Sequence, residues 1–216
     1  MRIIKSLSLL VLVFSVFGCE KTETFDNTED KVGISRVTRF PVFDMKGEEY
    51  VVILKGGTYT EPGVKAYEGA TEIPVTTTGS VNTNVAGVYV LNYSAVNKDG
   101  FAANVSRTVI VSPGPETPGT DLSGKYDYVG SSTFTATVTK LGEGAYQTDN
   151  AWSGLTVIPL IFFSQNGLNI TVPEQTTGFG AANGTGTYST STKRLVFVLS
   201  LTDAGVLNST RTWQRQ

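Results

Sequence analysis

Gly87-Val88-Tyr89-Val90-Leu91-Asn92-Tyr93-Ser94-Ala95-Val96, the four residues Asn97-Lys98-Asp99-Gly100, and the return run Phe101 to Val111 decide the fold class of this chain. In a strand, successive side chains point to opposite faces. Tyr89, Leu91, Tyr93 and Ala95 then share one face, and Val88, Val90, Asn92 and Ser94 the other. The first set is the expected core face. Asp99-Gly100 is a strong short-range hairpin signal. In the return strand Ala103, Val105, Val109 and Val111 share a face that Arg107 interrupts. Arg107 is expected near a strand end, or with its head group carried outward to water.

The same texture continues in both directions. Short β-branched and aromatic runs are broken by Gly, Pro and Asn, and no long apolar pattern of period 3.6 follows the first twenty residues. That predicts an all-β chain. In the C-terminal half Phe134-Thr135-Ala136-Thr137-Val138-Thr139-Lys140 alternates, with Phe134, Ala136 and Val138 inward. Leu155 to Phe163, Leu168 to Val172, Gly184 to Tyr188 and Leu195 to Leu201 read as further strands, and Gly178 to Gly186 as a long mobile loop. Successive strands with short turns predict an antiparallel meander, closed as a lipocalin-like β-barrel or stacked as a β-sandwich. Three of the eight prolines fall between Ser112 and Thr120, which marks a semi-stiff linker. The expected organisation is a signal peptide at 1–18, an acidic tether at 19–31, a first β module at 32–112, a linker at 113–120 and a second β module at 121–216.

Gly56-Gly57-Thr58-Tyr59-Thr60-Glu61-Pro62-Gly63-Val64-Lys65-Ala66, Val81 to Tyr93 and Arg107-Thr108-Val109-Ile110-Val111 together resemble bacterial immunoglobulin-like domains of surface lipoproteins and insecticidal crystal proteins. That resemblance implies an Ig-like sandwich that acts as a spacer or adhesion module, and no chemistry. Tyr89, two residues before Leu91, stands where the tyrosine corner of such a domain would fall. Leu122-Ser123-Gly124-Lys125-Tyr126, Thr137 to Tyr146 and Gly184 to Tyr188 are similar to C-terminal domains of uncharacterised Bacteroidetes lipoproteins.

The N-terminus has a basic start (Arg2, Lys5), an apolar run from Leu7 to Phe17, and then Gly18-Cys19, the layout of a secretory signal. A membrane-spanning helix needs about 20 apolar residues, and this run is far shorter. The small residue before the single cysteine resembles the lipobox of bacterial lipoproteins, which implies cleavage before Cys19 and acylation of its thiol. Each buried methylene contributes about 0.8 kcal/mol, so two or three acyl chains would anchor durably. The acidic stretch after Cys19 resembles the export signal of Bacteroidetes surface lipoproteins. The expected address is the outer membrane, lipid-anchored, at the cell surface.

With 17 basic and 19 acidic residues and no basic block, the chain gives no footprint for nucleic acid. It has no histidine, which removes the commonest general base and the Ser-His-Asp and Cys-His arrangements. Its acidic residues are scattered beside turns, unlike the paired carboxylates of a glycosidase. Asp149 lacks the ligand spacing of a calcium loop. No catalytic residue, cofactor or metal site is therefore expected. Flat aromatic rings stack on sugar faces and amides read hydroxyls, so Trp152, Tyr146, Asn150 and Phe179 are the candidate ligand-binding residues. Most aromatics of such a domain are nonetheless needed for its core. The expected partners are the membrane through the lipid, a polysaccharide or glycan, and an outer-membrane protein.

Overall fold

The computed structural model describes residues 31–32 and 35–216. Cys19, the signal peptide and the tether through residue 30 lie outside these residues. A short antiparallel pair, β1 (Lys31–Val32) and β2 (Ser35–Arg36), belongs to a unit that ends at Arg39. Phe40 to Gln216 forms a separate compact unit. The described residues form strands and turns, so the chain is all-β as its alternation predicts.

Two sheets build the first module. One has the order β3 (Val42–Met45), β5 (Val64–Glu68), β6 (Thr71–Ile73). The other runs β4 (Tyr50–Leu54), β9 (Ala102–Ser112), β8 (Gly87–Val96), β7 (Thr76–Thr78), with β4 parallel to β9 and the remaining pairs antiparallel. The β8–β9 hairpin pairs from Val96 and Ala102 to Gly87 and Val111. The Asn97 side chain accepts the Asp99 and Phe101 amides across its turn. Leu91, Tyr93 and Val109 are buried between the sheets, against Phe43, Met45, Ile53 and Val64. Tyr89 forms the corner expected of it, its hydroxyl donating to the Val85 carbonyl at 2.9 Å.

Arg107 departs from expectation. It pairs with Leu91 on the inward face, well inside β9, and is fully buried. Its Nη2 donates to the Lys46 carbonyl and lies 3.4 Å from Glu61 Oε1. No strand end is near enough for the head group to reach water, so the fold brings a carboxylate to it. Burial opposes ionisation of Glu61. Hydrogen bonds from Tyr59 and the Gly63 amide, with the charge of Arg107, still hold its carboxyl below the usual range.

The second module is a closed barrel. Its strands are β10 (Gly124–Tyr128), β11 (Ser131–Gly142), β12 (Ala145–Thr148), β13 (Leu160–Phe163), β14 (Asn169–Thr177), β15 (Gly180–Ser189), β16 (Arg194–Leu201) and β17 (Val206–Arg215). Each pairs with the next, and β17 closes on β10 through Tyr126–Arg215 and Tyr128–Trp213. Of the two closures compatible with the alternation, the barrel is the one formed. Eight strands leave an interior that side chains can fill. Here Tyr146 stacks on Phe162, Phe162 meets Phe197 edge-on, and Tyr128 meets Trp213 edge-on.

Two strand boundaries differ from the pattern. Leu155 is 95% exposed in a loop, and β13 begins only at Leu160, after Pro159. The glycine-rich run expected as a loop is instead largely β15, paired with both neighbours. Its composition has a packing cause: a Cβ on Gly186 would stand 2.3 Å from the Val196 carbonyl oxygen, so only glycine permits this close approach.

The modules pack side by side. Tyr50, Val52, Val88 and Ile110, on the outward face of the β4–β9–β8 sheet, meet Leu141, Ala145, Ile161 and Phe163 on the outside of the barrel. The Pro/Gly segment between them is fastened at both ends. Ser112 Oγ donates to the Glu143 carbonyl, and the Thr117 amide to that of Gln165. Glu116 accepts the Tyr146 hydroxyl and pairs with Lys140, and Leu122 enters the barrel core. The Tyr126 hydroxyl donates to the Leu122 carbonyl at 2.7 Å, repeating in the barrel the four-residue back-reach of Tyr89.

Candidate functional site

The packing of the two modules leaves a groove where the barrel wall is irregular. Between β13 and β14 the ladder reduces to the single pair Phe163–Thr171. β14 also carries a register shift between Val172 and Gln175. The strands part there, and the hollow between them and the first module has a volume of about 370 Å3. Tyr50, Val88 and Thr108 line it from the first module, and Gln147, Glu174 and Thr176 from the barrel. A second hollow of about 360 Å3 shares Gln147 and Pro159 with the first and adds Thr137, Thr139 and Asp149. The two run together along the outside of β11 to β14.

Gln147 is the central polar group. Its Nε2 donates to the Tyr50 hydroxyl at 3.4 Å, a long bond that joins the modules across the groove. Asp149 Oδ1 accepts the Thr137 amide at 2.7 Å, which fixes that carboxylate at the far end. The groove thus offers one aromatic side chain, two carboxamides (that of Gln175 bonded to Ile161), several hydroxyls and two carboxylates against apolar walls. Concave sites of this composition, at a junction between domains, suit a hydroxyl-rich ligand.

The carboxylates held below their usual range lie elsewhere and are committed to the fold. Glu61 sits beside Arg107, Glu116 accepts the Tyr146 hydroxyl and pairs with Lys140, and Asp121 accepts the Ser123 amide. Burial opposes the ionisation of Glu116, and hydrogen bonds from Lys140 and Tyr146 outweigh it. The reciprocal effect, after burial, pushes the Tyr146 hydroxyl well above its ordinary range. Among the described residues no group of three or more His, Cys, Asp or Glu side chains comes together as a metal would need.

The residues singled out from sequence scatter. Tyr146 is fully buried in the barrel, stacked on Phe162 and bonded to Glu116, so it has no face for a ligand. Asn150 is buried too, and its amide serves its own loop: Oδ1 accepts from the Trp152 and Ile158 amides, and Nδ2 donates to the Ser153 carbonyl. Trp152 is half-buried against the core, with the Arg211 guanidinium 3.9 Å above its ring. Phe179 is exposed in the β14–β15 turn, at the same end of the barrel as Trp152 but on a different connection. Tyr50 and Gln175 escaped the sequence reading, and Glu174, read there only as one of the scattered acids beside turns, lies in β14 and lines the groove. The clue was Leu160-Ile161-Phe162-Phe163: a strand apolar on both faces needs a cover outside the barrel as well as a core within.

Comparison with known proteins locates the first module. Residues 43–111 match the family described as "Bacterial surface protein, Ig-like domain". Among solved structures, the crystal structure of a lipoprotein from Bacteroides thetaiotaomicron aligns with 82% of this chain and 100% of that one, at 24% identity and a TM-score of 0.42. No curated protein matches the chain.

Proposed function

We propose that the chain is a lipid-anchored protein of the outer membrane, displayed at the cell surface, that binds a polysaccharide or glycan without turning it over. The observation that carries the binding reading is the groove between the modules, where Tyr50, Gln147, Thr108, Glu174 and Thr176 surround about 370 Å3. A pyranose presents apolar C–H faces and a rim of hydroxyls, and this lining answers both. The anchor reading rests on Gly18-Cys19 after the basic and apolar start, and it accords with a first module of a bacterial surface type. The absence of histidine, and the engagement of Glu61, Glu116 and Asp121 in hydrogen bonds within the fold, support recognition without catalysis.

The test is retention of the intact protein, purified in detergent, on gels cast with a panel of polysaccharides. Retention by one of them, reduced by Tyr50→Ala and by Gln147→Ala in proteins that melt normally, is the expected result. Failure to be retained by any polysaccharide would overturn the glycan reading. Mass spectrometry of native material should find an acylated Cys19; a free, unacylated N-terminus would overturn the anchor.

One observation favours a second reading, adhesion to another envelope or host protein. Leu155, Val157, Phe179 and Leu207 are exposed on connections at one end of the barrel or beside them, and apolar residues gathered on a surface mark protein contacts. Co-purification of a partner that is lost with Leu155→Ser, together with no retention on polysaccharide, would favour it.

A further inference from the structure

We infer that Arg211 and Trp152 form a second binding site, for a sugar unit that carries an oxyanion, at the barrel end away from the 113–120 segment. Arg211 pairs with Phe197 in the β16–β17 ladder, and both Phe197 and Trp213 point into the barrel. Arg211 therefore faces the barrel mouth. Its guanidinium carbon stands 3.9 Å from the centre of the Trp152 ring. Nη1 donates to the Thr210 carbonyl at 2.9 Å, whereas the buried Nε has no partner. Among the described residues no carboxylate pairs with this arginine. Two residues along, on the same inward face, the indole Nε1 of Trp213 is also buried without an acceptor.

These facts leave an arginine held by its ring contact and one backbone bond, with its Nε unpartnered. A guanidinium stacked on an indole keeps its N–H edge free, and that edge matches the paired oxygens of a carboxylate or a sulfate. The remaining indole surface can take an apolar sugar face. Trp152 is held in advance: Asn150 bonds three positions of its loop, and Gly154 lies so close to the Phe134 ring that an added Cβ would meet it at 1.8 Å. A prepared ring and fork lower the ordering cost of binding. The site is distinct from the groove between the modules, so either can fail without the other.

Trigalacturonate, its methyl ester and a sulfated trisaccharide are the probes, titrated into the intact protein while tryptophan emission is followed. The acid should quench emission saturably, with an affinity about tenfold or more above that of its ester, as expected for losing charge-assisted hydrogen bonds. Arg211→Gln should abolish that preference, Arg211→Lys should restore only part of it, and Tyr50→Ala should leave it intact. Stronger binding of the sulfated probe would assign the site to sulfate and not carboxylate. Equal affinity for acid and ester, or no response to either anion, would overturn the proposal. The comparison of acid and ester uses the native chain, so it stands even if an Arg211 variant fails to fold.

Discussion

The carboxamide of Gln175 takes the place of a strand beside Ile161: its Nε2 donates to the Ile161 carbonyl at 2.7 Å, and its Oε1 accepts the Ile161 amide at 2.8 Å. A side chain thereby supplies two bonds that the parted β13–β14 ladder does not. The same substitution of side chain for backbone keeps the barrel closed while leaving room for the groove.

Gln175→Ala strands both backbone groups of Ile161, a buried residue, and is expected to cost about 2 kcal/mol. Gln175→Glu keeps the acceptor and loses the donor, so it should also destabilise. Urea denaturation measures both. A loss below about 0.5 kcal/mol for the alanine variant would show that water replaces the amide without penalty.

Removing one member of a buried ion pair leaves the other charged in an apolar setting. Glu61→Ala should therefore cost about 3 kcal/mol, and adding Arg107→Met to it should recover part of the loss. The recovery, read from a double-mutant cycle by thermal denaturation, separates the pair from simple packing.

Stability should be flat in the neutral range and fall at both extremes. Glu61 and Glu116 are held below the ordinary carboxylate value of 4.5. Their contribution is present above that value and is lost as pH falls through the lowered pKa. Burial raises Tyr93 and Tyr126 from 10.0 to about 12. Their contribution is intact below pH 10 and declines as pH rises toward 12. Melting temperature against pH should show both shoulders. Glu116→Gln should weaken the acid one.

Ala145 is buried between the modules, against the cluster that contains Ile110 and Phe163. Ala145→Asp places a charge there and should unseat the first module while the barrel stays folded. Proteolysis within 113–120 should become fast, and the near-ultraviolet dichroism of buried Trp213 should persist. Unchanged cleavage would mean that the bonds of Ser112, Glu116 and Thr117 hold the junction without the apolar contact.

Alternation carried most of the architecture. Tyr89, Leu91, Tyr93 and Ala95 point inward as period two requires, and Phe134 to Lys140 forms part of β11. Local pattern failed where distant parts of the chain decide an environment. Arg107 looked like an intrusion on an apolar face because Glu61, its partner, is remote in sequence. Tyr146 and Asn150 resembled ligand contacts because a buried ring and a loop-pinning amide have the same composition as an exposed sugar platform. The groove was invisible for the same reason: Tyr50 and Gln147 meet only after two modules pack together.

The parallel pairing of β4 with β9 has a mechanical consequence. Tyr50 to Leu54 and Thr108 to Ser112 run the same way, so tension applied between the segment before β4 and the barrel pulls the two strands along their length in opposite directions. All the bonds of that ladder then resist together in shear, whereas an antiparallel hairpin pulled from its open end unzips bond by bond. Anchored at the surface as proposed, the chain would resist stretching best at this seam.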